Sequence, residues 1–282
     1  MHTTLVDTAT LAAHLGDPQW VIVDCRFDLA NPHAGRAQYT RSHIPGARYL
    51  SIDEDLSAPK TGTNGRHPLP TPERFAEALG SAGIGNDTQV VAYDGNNAAF
   101  AGRLWWMLRW VGHERVAVLD GGFAQWLKDD HPETAEAPAV TPRAFVPRLR
   151  PMTVDAAWLA GRLRDPAMRV VDARAANRYR GENETIDPVA GHIPGSVNRP
   201  FADNLDATGR MKPADVLARE WRALLGGLPP EALVHSCGSG VSACHNLLAM
   251  EVAGLGGGRL YPGSWSEWCA NPARPVATGP EP

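Results

Sequence analysis

The chain has 282 residues, 43% of them hydrophobic and 21% charged, with a formal net charge of −4. That length supports two domains of ordinary size, each with its own core. The mild acidity excludes the basic footprint of a nucleic-acid or anionic-membrane partner, and no stretch approaches the ~20 apolar residues of a membrane span. The opening run MHTTLVDTATLAAHL has no basic segment followed by an apolar one, so no secretory signal is read there. Four cysteines in a chain this long do not suggest a disulfide framework, and the expected compartment is a reducing cytoplasm.

In chain order, the first predicted strand is Val21–Val23, which runs into Asp24 and is followed by RSHIPGA at Arg41–Ala47. Thr71 with Pro72 behind it starts a helix whose apolar stripe carries Phe75 and Leu79. Val90–Tyr93 is a strand leading into the small-residue loop YDGNNAAFAG. Trp105, Trp106 and Trp110 follow at helical spacing and read as packing residues rather than a binding box. Val116–Leu119 is the next strand. Asp129–Pro151 is rich in Pro, Ala and charge and has no period, as expected of a connection. Beyond it come a strand at Val170–Val171 ending in Asp172, AGHIPGS at Ala190–Ser196, and a helix starting at Lys212–Pro213 with Val216, Trp221, Leu224 and Leu225 on one face. A strand at Leu233–Ser236 leads to a helix predicted from Val241–Ala243 to about Ala253, and a last strand covers Arg259–Tyr261.

These elements are written twice. WVIVDCR at Trp20–Arg26 matches MRVVDAR at Met168–Arg174, and RSHIPGA matches AGHIPGS. The segment from Val90 matches the one from Leu233, and VLDGGFAQW at Val118–Trp126 matches LYPGSWSEW at Leu260–Trp268. Four blocks in the same order, offset by roughly 142–149 residues, describe a duplicated domain rather than a solenoid. The expected organisation is residues 1–130, a linker at 131–151, and residues 152–282. Continuous apolar strands alternating with helices predict an α/β fold, each half a parallel sheet flanked by helices. Asp24 and Asp172 recur in both copies and are read as structural.

The chemistry concentrates in HSCGSGVSACHN, His235–Asn246. Cys237 stands where a strand ends, the place where open α/β sheets bind ligands. Gly238, Ser239, Gly240, Val241 and Ser242 supply backbone N–H groups with little side chain around them, and a helix N-terminus stands behind. Such a loop is an anion site, suited to an anionic sulfur and to a larger anion formed on it. The first copy has Asp94 at the position of Cys237, so the first half is expected to be non-catalytic.

The paired halves, the HIPG motif in each and CGSGVSA resemble the tandem-domain rhodanese family of sulfurtransferases. The resemblance implies two rhodanese-like α/β domains, with the active cysteine in the second and no metal or organic cofactor. It implies transfer of a sulfane sulfur through a Cys237 persulfide to a small thiol, cyanide or a thioredoxin-like acceptor. A loop beginning Cys-Gly-Ser-Gly-Val, with no Lys or Arg at 238–243, resembles members that use 3-mercaptopyruvate. Arg178 in ANRYRG matches a family arginine that holds the donor's anionic end. A second family arginine before HIPG has no counterpart, since Thr185 stands near its place; Arg180 or Arg199 could substitute, and thiosulfate remains the alternative donor. Ser239 matches a serine that polarises the donor together with a first-half histidine, which His43 matches. HIPG also recurs at His192, which favours a turn role for that histidine.

Three other readings are weaker. A Cys-x5-Arg phosphatase would need an arginine where Ala243 stands. A zinc site from His235, Cys237, Cys244 and His245 lacks any metal-ligand spacing. A non-catalytic interaction protein would not need Cys237 in an intact loop. A Cys237–Cys244 disulfide is a possible regulatory pairing, and Cys25 and Cys269 are read as packing residues.

Overall fold

The structure is a computed structural model that describes residues 1–95 and 97–282. It divides into two compact units. The first contains Met1–Ala58, Leu69–Pro151 and Ala207–Met211; the second contains Pro59–Pro68, Met152–Asp206 and Lys212–Pro282.

The first unit is built on β1 (Leu5–Val6), β2 (Trp20–Asp24), β3 (Arg48–Tyr49), β4 (Gln89–Tyr93) and β5 (Val116–Leu119). Their order is β1-β5-β4-β2-β3, with all pairings parallel. β4 and β5 are buried at every residue, as strands covered on both faces must be, and this explains their unbroken apolar sequences. The helix Ala101–Trp110 packs on β4 and β5, and the helix Pro72–Ser81 buries Phe75, Ala76 and Leu79. The Thr71 hydroxyl caps the first of these by accepting from the Arg74 amide at 3.3 Å. Trp105 and Trp106 are buried, and the Trp105 indole donates to the Thr3 carbonyl at 2.8 Å; the tryptophans pack the core.

The second unit repeats the plan with β6 (Arg169–Asp172), β7 (Ser196–Asn198), β8 (Leu233–Ser236) and β9 (Arg259–Leu260), ordered β7-β6-β8-β9 and again parallel. A single bridge from Thr153 to Leu260 stands where β1 pairs β5 in the first unit. Helices at Ala214–Leu225 and Ser242–Val252 match the predicted positions, the first entered through Pro213.

The register places each repeated aspartate beside a strand end: Asp24 pairs with Tyr93, and Asp172 with Ser236. Each aspartate then holds an arginine two residues on. Asp172 accepts from the Arg174 amide at 2.9 Å and from its guanidinium, whose Nη2 also donates to the Gly191 carbonyl at 2.7 Å. Asp24 and Arg26 do the same, with the Ser42 carbonyl as the far partner. The pair therefore ties a strand end to the HIPG turn in both copies.

Two departures from the expected organisation stand out. Residues 131–151 do not form a loose linker: they lie on the first unit, where the Arg143, Arg148 and Arg150 amides donate to the carbonyls of Gly80, Val111 and Trp110. Each unit also includes an arm from the other half of the sequence. Pro59–Pro68 packs into the second unit and Ala207–Met211 into the first. The arms correspond: Gly65-Arg66-His67 in one and Gly209-Arg210-Met211 in the other, with the glycines at φ 85° and 84°.

Candidate active site

Cys237 follows the last residue of β8 and is 2% exposed. The Gly240 amide donates to its Sγ at 3.1 Å. Gly240 has φ 76°, and a Cβ there would stand 2.3 Å from the Pro262 carbonyl oxygen, so only glycine lets this amide turn onto the sulfur. Val241 and Ser242 continue into the helix that begins at Ser242. The turn before Ser264–Trp268 supports the loop from the other side. The Cys237 amide donates to the Ser264 hydroxyl at 3.1 Å, Trp265 N–H donates to the Cys237 carbonyl at 3.0 Å, and Ser266 N–H donates to the Gly238 carbonyl at 2.9 Å.

The arm Pro59–Pro68 adds two side chains. His67, 2% exposed, has its Nδ1 2.7 Å from the Ser239 hydroxyl. The Arg66 amide donates to the Ser266 hydroxyl at 3.0 Å, which sets the arm's position on the loop. The Arg66 guanidinium pairs through Nη1 with Asp187, whose other carboxylate oxygen takes Arg178 Nη2 at 3.0 Å. Arg178 also grips Glu184 with two bonds, at 3.0 and 2.9 Å. A Cβ on Gly238 would stand 2.8 Å from Arg66 Nη2 and 3.6 Å from Arg178 Nη1. Gly238 thus keeps the space that the two guanidiniums face. Burial pushes the Asp187 carboxyl above its ordinary value, against the pull of Arg66. Burial also works against the charge on Glu184, but the amides of Ile186 and Asp187 and the Arg178 guanidinium bring that carboxyl below the usual range.

The structure brings Cys237, Gly238, Ser239, Gly240, Val241, Ser242 and Arg178 together. His43 is placed elsewhere. It lies in the first unit, fully buried and stacked on Tyr39, with Nδ1 2.7 Å from the Tyr39 carbonyl and Nε2 3.1 Å from the Glu136 carbonyl. His192 repeats the arrangement on Tyr179, so the HIPG histidine shapes a turn, and the histidine on Ser239 is His67. Arg180 and Arg199 pair with Glu182 and Glu220, and the guanidinium that stands beside Arg178 is that of Arg66. Arg66 and His67 were missed because they come from the first half of the sequence. The signal for them is the Gly-Arg pair that recurs at Gly65-Arg66 and Gly209-Arg210, a fifth matched block.

The first unit shows what the same architecture does without a thiol. Asp94 accepts from the amides of Ala98 at 3.0 Å, Phe100 at 2.8 Å and Ala101 at 3.1 Å. Its carboxylate fills the amide cradle with an anion of the protein's own. The four cysteines are buried and none is in a disulfide; the Cys244 thiol donates to the Gly240 carbonyl at 3.3 Å. Among the described residues no three His, Cys, Asp or Glu side chains are grouped for a metal ion, and no helix is long and apolar enough to cross a membrane.

Two α/β units, each on a parallel sheet, one with a buried thiol under a backbone amide and the other with a carboxylate in its place, define a duplicated domain with one thiol site. Residues 7–129 and 155–271 both match the Rhodanese-like domain, so the chain belongs to the rhodanese family, with two such domains in tandem. It is 46% identical over 278 residues to a probable 3-mercaptopyruvate sulfurtransferase of Pseudomonas aeruginosa, covering 98% of each chain. It is 35% identical over 280 residues to thiosulfate sulfurtransferase of Cricetulus griseus, covering 95% of this chain and 92% of the other. Among solved structures it is similar to SseA from Escherichia coli, described as a 3-mercaptopyruvate sulfotransferase, with a TM-score of 0.81, 32% identity and coverage of 94% and 99%.

Proposed function

We propose that the protein is a cytoplasmic sulfurtransferase that takes sulfur from 3-mercaptopyruvate onto Cys237 and passes it to a small thiol, cyanide or a thioredoxin-like acceptor. The observation that carries this reading is the amide of Gly240 on Cys237 Sγ, at a loop faced by two guanidiniums but containing no basic side chain of its own. The relative at 46% identity, named for mercaptopyruvate, supports the choice of donor.

In this reading the donor's carboxylate lies against Arg66 Nη2 and Arg178 Nη1, which brings its thiol sulfur to Cys237. The Cys237 thiolate attacks that sulfur. A new S–S bond forms, the donor's C–S bond breaks, and its electron pair moves into the neighbouring carbonyl as an enolate. Ser239, hydrogen-bonded to His67, stabilises the charge that develops on that oxygen. The proton from the donor's thiol, given up as the persulfide ionises, goes to the enolate carbon and gives pyruvate. The acceptor's nucleophile then attacks the outer sulfur of the Cys237 persulfide and returns the thiolate, whose charge the Gly240 amide holds.

Thiosulfate is the second reading, favoured by the 35% identical relatives named for it. Steady-state kinetics with both donors on one preparation separates the two: the expected result is a higher kcat/KM with 3-mercaptopyruvate, and a preference for thiosulfate overturns the donor assignment. Incubation with donor should add one sulfur, about 32 daltons, to wild type and none to Cys237→Ser. Undiminished thiocyanate formation by Cys237→Ser would overturn the mechanism.

A further inference from the structure

Arg66 and Arg178 face the loop, and behind them stand two carboxylates with little access to water. The Asp187 and Glu184 side chains are each 2% exposed, against 23% and 19% for the arginines. Asp187 touches both guanidiniums, through Arg66 Nη1 and Arg178 Nη2. Its amide donates to Glu184 at 3.1 Å, so the two acids are held as one piece. Arg174 also lies 3.7 Å from Glu184, but Asp172 at 2.7 Å supplies its counter-charge, so this third guanidinium brings its own carboxylate and leaves the count level. The nitrogens left pointing at Gly238, Arg66 Nη2 and Arg178 Nη1, have no hydrogen-bond partner among the described residues.

The fixed charges therefore balance: two guanidiniums against two carboxylates, before the donor and the Cys237 sulfur are counted. A balanced pair still offers N–H groups in the fork geometry that fits a carboxylate. It offers no excess positive charge to offset the second charge of a dianion brought beside an anionic sulfur in a partly dehydrated site. We infer that Asp187 is a positioning residue that sets donor selectivity: it holds Arg66 and Arg178 side by side and cancels enough of their charge to favour monoanionic over dianionic donors. This deepens the donor reading and rests on it for the placement of the carboxylate.

Asp187→Asn keeps the shape and one accepting oxygen while adding one unit of positive charge to the site. The expected result is a rise of at least about tenfold in the thiosulfate to mercaptopyruvate ratio of kcat/KM, carried by a lower KM for thiosulfate. Inorganic sulfate should inhibit the variant more tightly than wild type, and Asp187→Glu should restore the wild-type ratio. If Asp187→Asn does not fold, the Glu184→Gln variant tests the same charge and should move the ratio in the same direction. A ratio within twofold of wild type, or an equal fall with both donors, overturns the proposal. A wild-type preference for thiosulfate would instead overturn the donor reading, and the change in ratio on substitution remains measurable in that case.

Discussion

Ser264 and Gly122 occupy the same backbone position in the two units and differ by one hydroxymethyl group. Both are left-handed, at φ 52° and 58°, and the residues after them make the same bonds, Trp265 to Cys237 and Phe123 to Asp94. A serine in that region is strained by about 1–2 kcal/mol relative to glycine. It is retained where its hydroxyl accepts from the Cys237 amide and donates to the Tyr261 carbonyl. Ser264→Gly should relieve that strain and lose a hydrogen bond worth about 1 kcal/mol, leaving unfolding free energy within about 1 kcal/mol of wild type. Turnover should nevertheless fall about tenfold at nearly constant KM, because the nucleophile's backbone loses its anchor. Unchanged kcat would show that the hydroxyl does not position Cys237. At this scale the sequence was informative about groups on the loop itself. The position of Cys237 is readable from its glycine surroundings, while Ser239 and Arg178 are singled out by the resemblance. His67 is not legible, because a histidine's role depends on which hydroxyl it reaches, and Ser239 is 172 residues away.

The strand that carries the nucleophile also carries a buried base. His235 on β8 is fully buried, and neither ring nitrogen has a hydrogen-bond partner among the described residues. Burial alone lowers its pKa to about 3. Above pH 6.5 the ring is neutral in both folded and unfolded chains and has no effect on stability. As pH falls from 6.5 toward 3, the unfolded chain takes up a proton that the folded chain refuses, so stability is lost at up to about 1.4 kcal/mol per pH unit. Urea unfolding at pH 7.5 and 5.0 should show this loss in wild type and a shallower one in His235→Leu. Equal slopes would remove His235 as the cause. The strand itself was readable because a parallel strand covered on both faces must be continuously apolar or neutral. A histidine in such a run is neutral for the same reason.

Across the whole molecule, the duplicated plan carries a thiol in one loop and a carboxylate in the other. Asp94 satisfies its own cradle, and the arm that reaches the first unit presents Arg210 to Asp120 at 2.9 Å and carries Met211 where the other arm carries His67. A thiol alone should therefore not revive the first unit. The double variant Asp94→Cys, Cys237→Ser is expected to form no persulfide at position 94 by mass spectrometry after exposure to donor. Sulfur found on that residue would show that the cradle by itself is sufficient. Asp94→Asn should cost about 1–3 kcal/mol in unfolding free energy, since one of its accepting oxygens is replaced by a donor facing amides.

Read as a linear message, the chain determined the duplicated α/β plan, the place of Cys237 at a strand end and the loss of the thiol from the first copy. Each of these depends on local pattern: apolar runs of strand length, glycines that free backbone amides, and blocks repeated in order. The tertiary structure alone decided that the histidine on Ser239 is His67 rather than His43, and that the arginine beside Arg178 is Arg66. It also decided that two buried acids balance the arginine pair. Those assignments depend on an arm folding onto a distant part of the chain. Contacts of that kind are set by packing and charge in three dimensions; the repeated Gly-Arg pair marks the arm in the sequence but does not say what it touches.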